Sequence, residues 1–403
     1  MLDADGNPAA EQAAADLAIP ILRLEVDDDA PAGQFRLSGE AIGEPGATGP
    51  AEADDIALVL HTSGTTSRPK IVPLTQANVA ASAQHIRTTL ALAPADRCLN
   101  IMPLFHIHGL IAAVLSSLAA GASIVCTPGF NALRFFGWLD ETKPSWYTAV
   151  PTMHQAILAR AGRNAESVAR TKLRFIRSSS SSLPPQVMAE LEAAFGCPVL
   201  ESYGMTEAAH QMASNPLPPR ERKPGSVGQA AGPEMAIMAA DGSLLGFDEV
   251  GEIVIRGPNV TAGYENNSKA TQEAFAHGWF HTGDQGTMDS GGYFRITGRL
   301  KEIINRGGEK ISPREVDEVL MDHPSIQQVV TFAMPHAKLG EDVAAAVVLR
   351  EGRSADEKEI REFAAKRLAD FKVPRKILIL EEIPKGATGK LQRIGLAQKL
   401  GLG

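Results

Sequence analysis

Apolar residues along this chain fall into short runs separated by glycine, proline and polar clusters. Ile56-Ala57-Leu58-Val59-Leu60 has the length of a strand and predicts a buried one. Behind it, Thr75-Gln76-Ala77-Asn78 opens a helical pattern. From 56 to 150 strand-like and helix-like runs alternate, as in a mostly parallel sheet with covering helices. Residues 99–105 read as one strand ending in a turn, and 146–150 as another. The apolar stretch 109–125 is interrupted by Ser116, Ser117, Gly121 and Ser123. It predicts a buried helix, a turn at Ala120-Gly121 and a strand over 122–127, not a membrane span. A strand over 173–177 runs into five serines, 178–182. A helix follows, starting at Pro184 and closed by Gly196, so the serines read as a tight functional loop as readily as a linker. The next strand, 199–203, leads into Gly204-Met205-Thr206-Glu207.

The pattern changes after residue 222. Short runs at 235–238, 251–256 and 293–297, separated by Gly, Pro and Asn, predict a small antiparallel subdomain. After Gly298 a separate small α+β domain is expected. It has a helix at 313–321, strands at 326–334 and 343–349, and a helix opened by a Ser354-Ala355-Asp356-Glu357 capping box. Ile360, Phe363, Ala364 and Phe371 fall on one face of that last helix. Residues 1–55 say less: the end of a helix at 9–17, a strand at 19–24, and an exposed connection over 31–53. The expected fold class is therefore α/β. A large domain of mostly parallel sheet with helices and a β-rich subdomain (1–298) precedes a small α+β domain (299–403).

Composition narrows the function. A chain of 403 residues exceeds what one compact core usually serves. A net charge of −8 leaves no global basic footprint, so nucleic acid is not the expected partner. Cys98, Cys126 and Cys197 are too far apart for a metal spacing or a disulfide framework, which suits a reducing compartment. The acidic N-terminus is no signal peptide and the final residues are no peroxisomal address, so a cytoplasmic location is expected. Oligomeric state is not legible.

The chemistry starts at His61-Thr62-Ser63-Gly64-Thr65-Thr66-Ser67-Arg68-Pro69-Lys70. Hydroxyls, a glycine and two cations supply donors that converge on polyphosphate oxygens. Gly, four residues and Gly-Lys-Ser/Thr are absent, so this is not the NTPase P-loop. The stretch resembles the phosphate-binding signature of the adenylate-forming superfamily of acyl-CoA synthetases, luciferases and peptide-synthetase adenylation domains. Ser67 stands where those usually have Gly. Tyr203-Gly204-Met205-Thr206-Glu207 resembles the superfamily's adenine and magnesium motif. Gly278-Trp279-Phe280-His281-Thr282-Gly283-Asp284 and Gly298-Arg299-Leu300-Lys301-Glu302 resemble its ribose and hinge motifs. Asn305-Arg306-Gly307-Gly308-Glu309-Lys310 resembles the loop beside the CoA tunnel, and Pro384-Lys385-Gly386-Ala387-Thr388-Gly389-Lys390 the mobile C-terminal loop.

The resemblance covers residue 56 to the end and implies ATP, Mg²⁺ and CoA as cofactor and co-substrates. It assigns ATP or AMP binding to Thr62, Ser63, Gly64, Thr65, Thr66, Lys70, Ser202, Tyr203, Gly204, Met205, Thr206, Asp284 and Arg299. Mg²⁺ falls to Glu207, catalysis to Lys390, Thr206 and Glu207, CoA to Gly307 and Gly308, and the hinge to Lys301. Within the family the chain looks most like the oxalate–CoA ligases, with Ser180, His210, His106 and Arg177 at the places of the acyl pocket. A second substrate carboxylate needs such partners, because a buried charge must be paired. No Asp occurs from 99 to 118, where amino-acid-activating relatives place one for the substrate amine. The expected reaction is ligation of a small carboxylic acid, oxalate first, to CoA with release of AMP and pyrophosphate. The alternatives are a malonate-, 4-coumarate- or fatty-acid–CoA ligase, or a nucleotide-binding remnant without turnover. Relatives place the phosphate loop much further along, so the resemblance also implies that part of the usual N-terminal subdomain is missing.

Overall fold

The structure is a computed structural model that describes residues 2–3, 6–27, 29–31, 34–39, 49–62, 70–384 and 391–403. The chain divides into two compact units, 1–51 and 52–403. In the first, β1 (Leu2–Asp3) pairs parallel with β2 (Leu22–Val26), and β3 (Phe35–Gly39) pairs antiparallel with β2. Helix α1 (Pro8–Asp16) carries Pro at its start and is capped by Asn7, whose Oδ1 accepts from Ala10 N at 3.1 Å. The helix and one strand agree with the sequence pattern. Strand β3 lies inside what reads as a connection, and its half-exposed residues give only a weak periodic signal.

The second unit opens with β4 (Ile56–His61) and β5 (Ile71–Thr75), an antiparallel pair with its own two-stranded sheet. The strand is present as expected but is neither buried nor parallel: Ile56 is 53% and Val59 52% exposed. Helix α2 (Gln76–Thr89) starts where the sequence predicts, because Thr75 and Asn78 form a reciprocal capping box.

A seven-stranded sheet forms the body of the unit. Its strands are β6 (Arg97–Asn100), β7 (Ser123–Cys126), β8 (Trp146–Ala149), β9 (Phe175–Ser178), β10 (Val199–Met205), β11 (His210–Ser214) and β12 (Gln229–Ala230), in the order β12-β11-β10-β9-β8-β6-β7. From β7 to β10 the pairing is parallel; β11 and β12 are antiparallel. Alternate residues feed two cores. Trp146, Phe175 and Leu200 pack with Ile111 and Ala112 on one face, and Tyr147, Ile176 and Val199 with Phe135 and Leu191 on the other.

Strand β6 ends at Asn100, not at Phe105. The Asn100 side chain accepts from Met102 N at 3.1 Å and so turns the backbone out of the sheet, and Phe105 ends up 66% exposed. Residues His108–Leu115 form a π-helical segment that continues as α-helix to Ala119. Helix α3 (Pro151–Ala161) follows β8. Helix α4 (Pro185–Phe195) is closed by Gly196 at φ +64°, as its sequence predicts. No helix among the described residues is long and apolar enough to cross a membrane.

The expected antiparallel subdomain is built from β13 (Glu234–Met238), β14 (Gly251–Arg256), β15 (Phe275–Ala276), β16 (Trp279–Met288) and β17 (Phe294–Arg299), with helix α5 (Ser268–Ala274). Beyond it come β18 (Ile304–Arg306), β19 (Glu309–Ile311), α6 (Pro313–Met321), β20 (Ile326–His336), β21 (Gly340–Leu349), α7 (Glu357–Ala365) and β22 (Lys376–Ile379). Gly307 and Gly308, at φ +60° and +102°, make the two-residue turn between β18 and β19. The cap of α7 is Asp356, accepting from Glu359 N at 2.8 Å, and not Ser354. Ile360 and Ala364 are buried as expected, whereas Phe371 lies on a following 3₁₀ turn.

Candidate active site

Parallel sheets leave a crevice at the carboxyl ends of their strands, where the strand order reverses. Here the reversal lies between β6 and β8. The candidate residues gather around it on β8, β9, β10 and the segment that follows β6.

The serine run is no linker: Ser178 and Ser179 are buried, Ser180 is half-buried, and only Ser181 and Ser182 are exposed. Ser179 Oγ donates to Ser202 O at 3.1 Å, and Ser202 Oγ donates to Ser178 O at 3.2 Å. These bonds lock β9 to β10, so the Ser202 hydroxyl serves the sheet. Ser180 differs. Its backbone sits at φ +72°, a costly conformation for a residue with a Cβ. Its hydroxyl lies 3.1 Å from His108 Nδ1. The other nitrogen of that ring, Nε2, lies 2.6 Å from Thr148 Oγ1. Both partners are hydroxyls, so either neutral tautomer is satisfied. His210, at φ +101°, places its ring 5.2 Å from that of His108.

Two of the four expected pocket residues, Ser180 and His210, thus come together around a histidine that sequence reasoning passed over. His106 is half-buried, and its Nδ1 accepts from His108 N at 3.1 Å. Two histidines separated by one residue give no sequence signal as to which enters the cluster. Arg177 is the register partner of Thr148 across β8 and β9, which sets it on the same face of the sheet. It is fully buried and donates to Gln211 Oε1 at 3.3 Å, while its Nε and Nη1 have no partner. Burial pulls its pKa down to about 9.

Strand β10 leads into the stretch expected to bind the nucleotide. Gly204 lies at a register shift against β11, and a Cβ there would stand 1.8 Å from the His210 carbonyl oxygen. Met205 packs on the core and Thr206 opens a 3₁₀ turn that carries Glu207. The buried Glu207 carboxylate accepts from the Tyr264 hydroxyl at Oε1, 2.9 Å away. Lys70 Nζ sits 4.1 Å from the centre of the same Tyr264 ring. Thr62 and Lys70 close the β4–β5 hairpin, Thr62 N donating to Lys70 O at 2.9 Å. Ser63, Gly64, Thr65, Thr66 and Lys390 lie outside the described residues.

Asp284 and Arg299 are register partners on β16 and β17. Asp284 Oδ2 accepts from the Tyr203 hydroxyl at 2.5 Å and Oδ1 from Arg299 Nε at 2.8 Å. Burial and the adjacent Asp284 charge push the Tyr203 phenol well above its ordinary pKa. The Asp284 charge likewise raises Arg299. Each carboxylate oxygen keeps a lone pair for a ribose hydroxyl. Among the described residues no three His, Cys, Asp or Glu come together as a metal cage. Glu207 as a single protein ligand fits an Mg²⁺ that phosphates and water otherwise coordinate. Lys301 is exposed on a 3₁₀ turn between β17 and β18, and Gly307-Gly308 is an exposed hairpin tip. Neither touches the histidine cluster.

Behind the serine loop, Glu201 is buried. Its Oε1 accepts from Leu183 N at 2.9 Å, and its Oε2 has no partner. Burial, only partly opposed by the Arg314 charge, pushes its pKa up from 4.5 to about 7. The folded protein therefore holds this proton more tightly than the unfolded chain. Stability from this group is complete below pH 4.5 and falls as pH rises to about 7, by on the order of 3 kcal/mol. Glu201→Gln should match the parent at pH 4 and exceed it at pH 8 in urea unfolding midpoints.

The family model described as AMP-binding enzyme matches residues 3–265, and that described as AMP-binding enzyme C-terminal domain matches 315–390. A probable CoA ligase, CCL9, from Humulus lupulus is 53% identical over 347 residues, 85% of this chain and 66% of that protein. The oxalate–CoA ligase of Arabidopsis thaliana is 52% identical over 348 residues, 86% of this chain and 68% of that protein. Among solved structures, ATP-bound MatB from Rhodopseudomonas palustris superimposes with a TM-score of 0.84 at 29% identity, covering 98% of this chain and 77% of that one. The chain spans about two thirds of the length of the curated relatives it matches.

Proposed function

Because the chain belongs to the AMP-binding enzyme family, we propose that it is an AMP-forming acid–CoA ligase that uses ATP and takes oxalate as its acid. The reading rests on one observation: a His108–His210–Ser180–Thr148 cluster lies beside the Thr206-Glu207 turn, with the under-bonded Arg177 on the same sheet face. Beside a hydrocarbon tail the Arg177 Nε and Nη1 would stay without acceptors, whereas the second carboxylate of a small dicarboxylate supplies them.

In the first half-reaction a substrate carboxylate attacks the α-phosphorus of ATP and pyrophosphate leaves. Tyr203, Asp284 and Arg299 hold the nucleoside, with Asp284 accepting from the ribose hydroxyls. Thr206 donates to phosphate oxygens, and Glu207 would hold an Mg²⁺ that, when bound, would lower the charge repelling the incoming carboxylate. Lys390 is assigned to the same oxygens. In the second half-reaction the CoA thiol displaces AMP from the acyl-adenylate. We divide the chain into 1–298 and 299–403, with Lys301 as the hinge that lets Lys390 withdraw and the Gly307-Gly308 turn approach. A cytoplasmic setting belongs to the same proposal and agrees with three unpaired cysteines.

The test is pyrophosphate release with ATP, Mg²⁺ and CoA over oxalate, malonate, acetate, 4-coumarate and octanoate. Release with oxalate alone is expected. His108→Ala should raise the oxalate KM at least about tenfold, the cost of leaving buried hydroxyls and a substrate charge unpaired. An unchanged KM, or turnover of octanoate instead, would overturn the assignment of the acid.

A further inference from the structure

Glu207 and Lys70 carry opposite charges and approach one aromatic ring, yet they form no ion pair within 4.0 Å. Tyr264 occupies the place between them. Its hydroxyl donates to Glu207 Oε1 and its π face receives the Lys70 ammonium. The ring itself is fixed. It is buried, its backbone N–H donates to Thr271 Oγ1 at 2.9 Å, and a Cβ on neighbouring Gly263 would strike the Thr271 side chain at 2.6 Å.

The surrounding backbone ties both charged groups to the same segment. Thr261 N donates to Glu207 O at 2.8 Å, and Thr261 Oγ1 donates to Pro73 O at 2.7 Å. Glu265 N donates to Ile71 O at 3.0 Å. Asn78 Nδ2 donates to Pro258 O at 2.7 Å and Val260 O at 3.1 Å. Residues 258–265 therefore bridge β5, which Lys70 immediately precedes, and the start of α2 to the turn that carries Glu207.

We propose that Tyr264 is a positioning residue that holds Glu207 and Lys70 apart and aims both at one metal-bound triphosphate. Without such a spacer, two opposite charges in a half-buried site would neutralise each other and leave neither for the ligand. With it, the Glu207 carboxylate has one oxygen fixed by a neutral donor and keeps its charge for Mg²⁺. The ammonium rests on a surface that competes only weakly with phosphate. This inference rests on the nucleotide-binding part of the ligase reading and not on which acid is used.

The experiment compares the parent with Tyr264→Phe and Tyr264→Leu by calorimetric titration of ATP at a series of Mg²⁺ concentrations, with no acid or CoA present. Thermal midpoints serve as the folding control. Tyr264→Phe keeps the ring under Lys70 and removes only the hydroxyl. It should raise the Mg²⁺ concentration for half-maximal ATP binding about tenfold, the usual size of one hydrogen bond to a charged group, and leave metal-free ATP binding unchanged. Tyr264→Leu should weaken metal-free ATP binding as well. An unchanged Mg²⁺ requirement in Tyr264→Phe overturns the proposal. So does an equal loss with and without metal, because a merely structural role would not discriminate. The titration reads out whether or not any acid is turned over, so failure of the ligase reading and failure of this role are seen separately.

Discussion

Gly204→Ala is expected to eliminate pyrophosphate release and to lower unfolding stability by on the order of 4 kcal/mol or more. The added methyl would stand 1.8 Å from the His210 carbonyl oxygen and 2.6 Å from its carbon. Both are backbone atoms, so no rotamer change relieves the overlap. The β10–β11 pair would have to part at the point where its register already shifts. That pair holds Tyr203 on one side and His210 on the other, so the proposed nucleoside and acid sites would fail together. Gly196→Ala is the control. Gly196 has open space around its missing Cβ and only a left-handed backbone, φ +64°, so about 1 kcal/mol is expected there with activity retained. Urea unfolding and the pyrophosphate assay on the two variants decide the matter. A Gly204→Ala protein with near-parent activity would mean that the close approach at this turn is not needed.

The second large effect is expected at Asp284. Asp284→Ala strips the buried Tyr203 hydroxyl of its acceptor and Arg299 of its counter-charge at one stroke. The KM for ATP should rise at least about a hundredfold, as two or more hydrogen bonds to a charged group are lost. Stability should fall by about 1–3 kcal/mol for the orphaned phenol. Asp284→Asn keeps an acceptor for Tyr203 and loses only the charge. It should therefore recover most of the stability and little of the ATP affinity. Equal behaviour of the two variants in both readouts would show that the carboxylate serves packing and not the nucleotide.

Much of the fold was legible because its signals are local. Helix α2 begins at Thr75 because a reciprocal cap is written in four consecutive residues. Helix α4 ends at Gly196 because only a residue without a Cβ readily takes the left-handed turn. Helix α6 matches its predicted limits because Pro313 and an amphipathic run mark both ends. The misreadings were local patterns overruled by context. Residues 101–105 are apolar enough for a strand, but the Asn100 side chain turns the chain before them. The run 56–60 has the hydrophobicity of a central strand, yet it pairs in a two-stranded sheet and leaves Ile56 and Val59 half exposed.

The sequence by itself determined the family, the order of the nucleotide motifs and most elements, because each is carried by neighbouring residues whose backbone needs are visible in their type. Only the tertiary structure decided who meets whom. It chose His108 over His106 for the cluster, joined Ser180 to His210 across thirty positions, and set Tyr264 between Lys70 and Glu207. Those contacts depend on strand order and register, which bring distant residues to one sheet edge and leave no periodic trace in the chain.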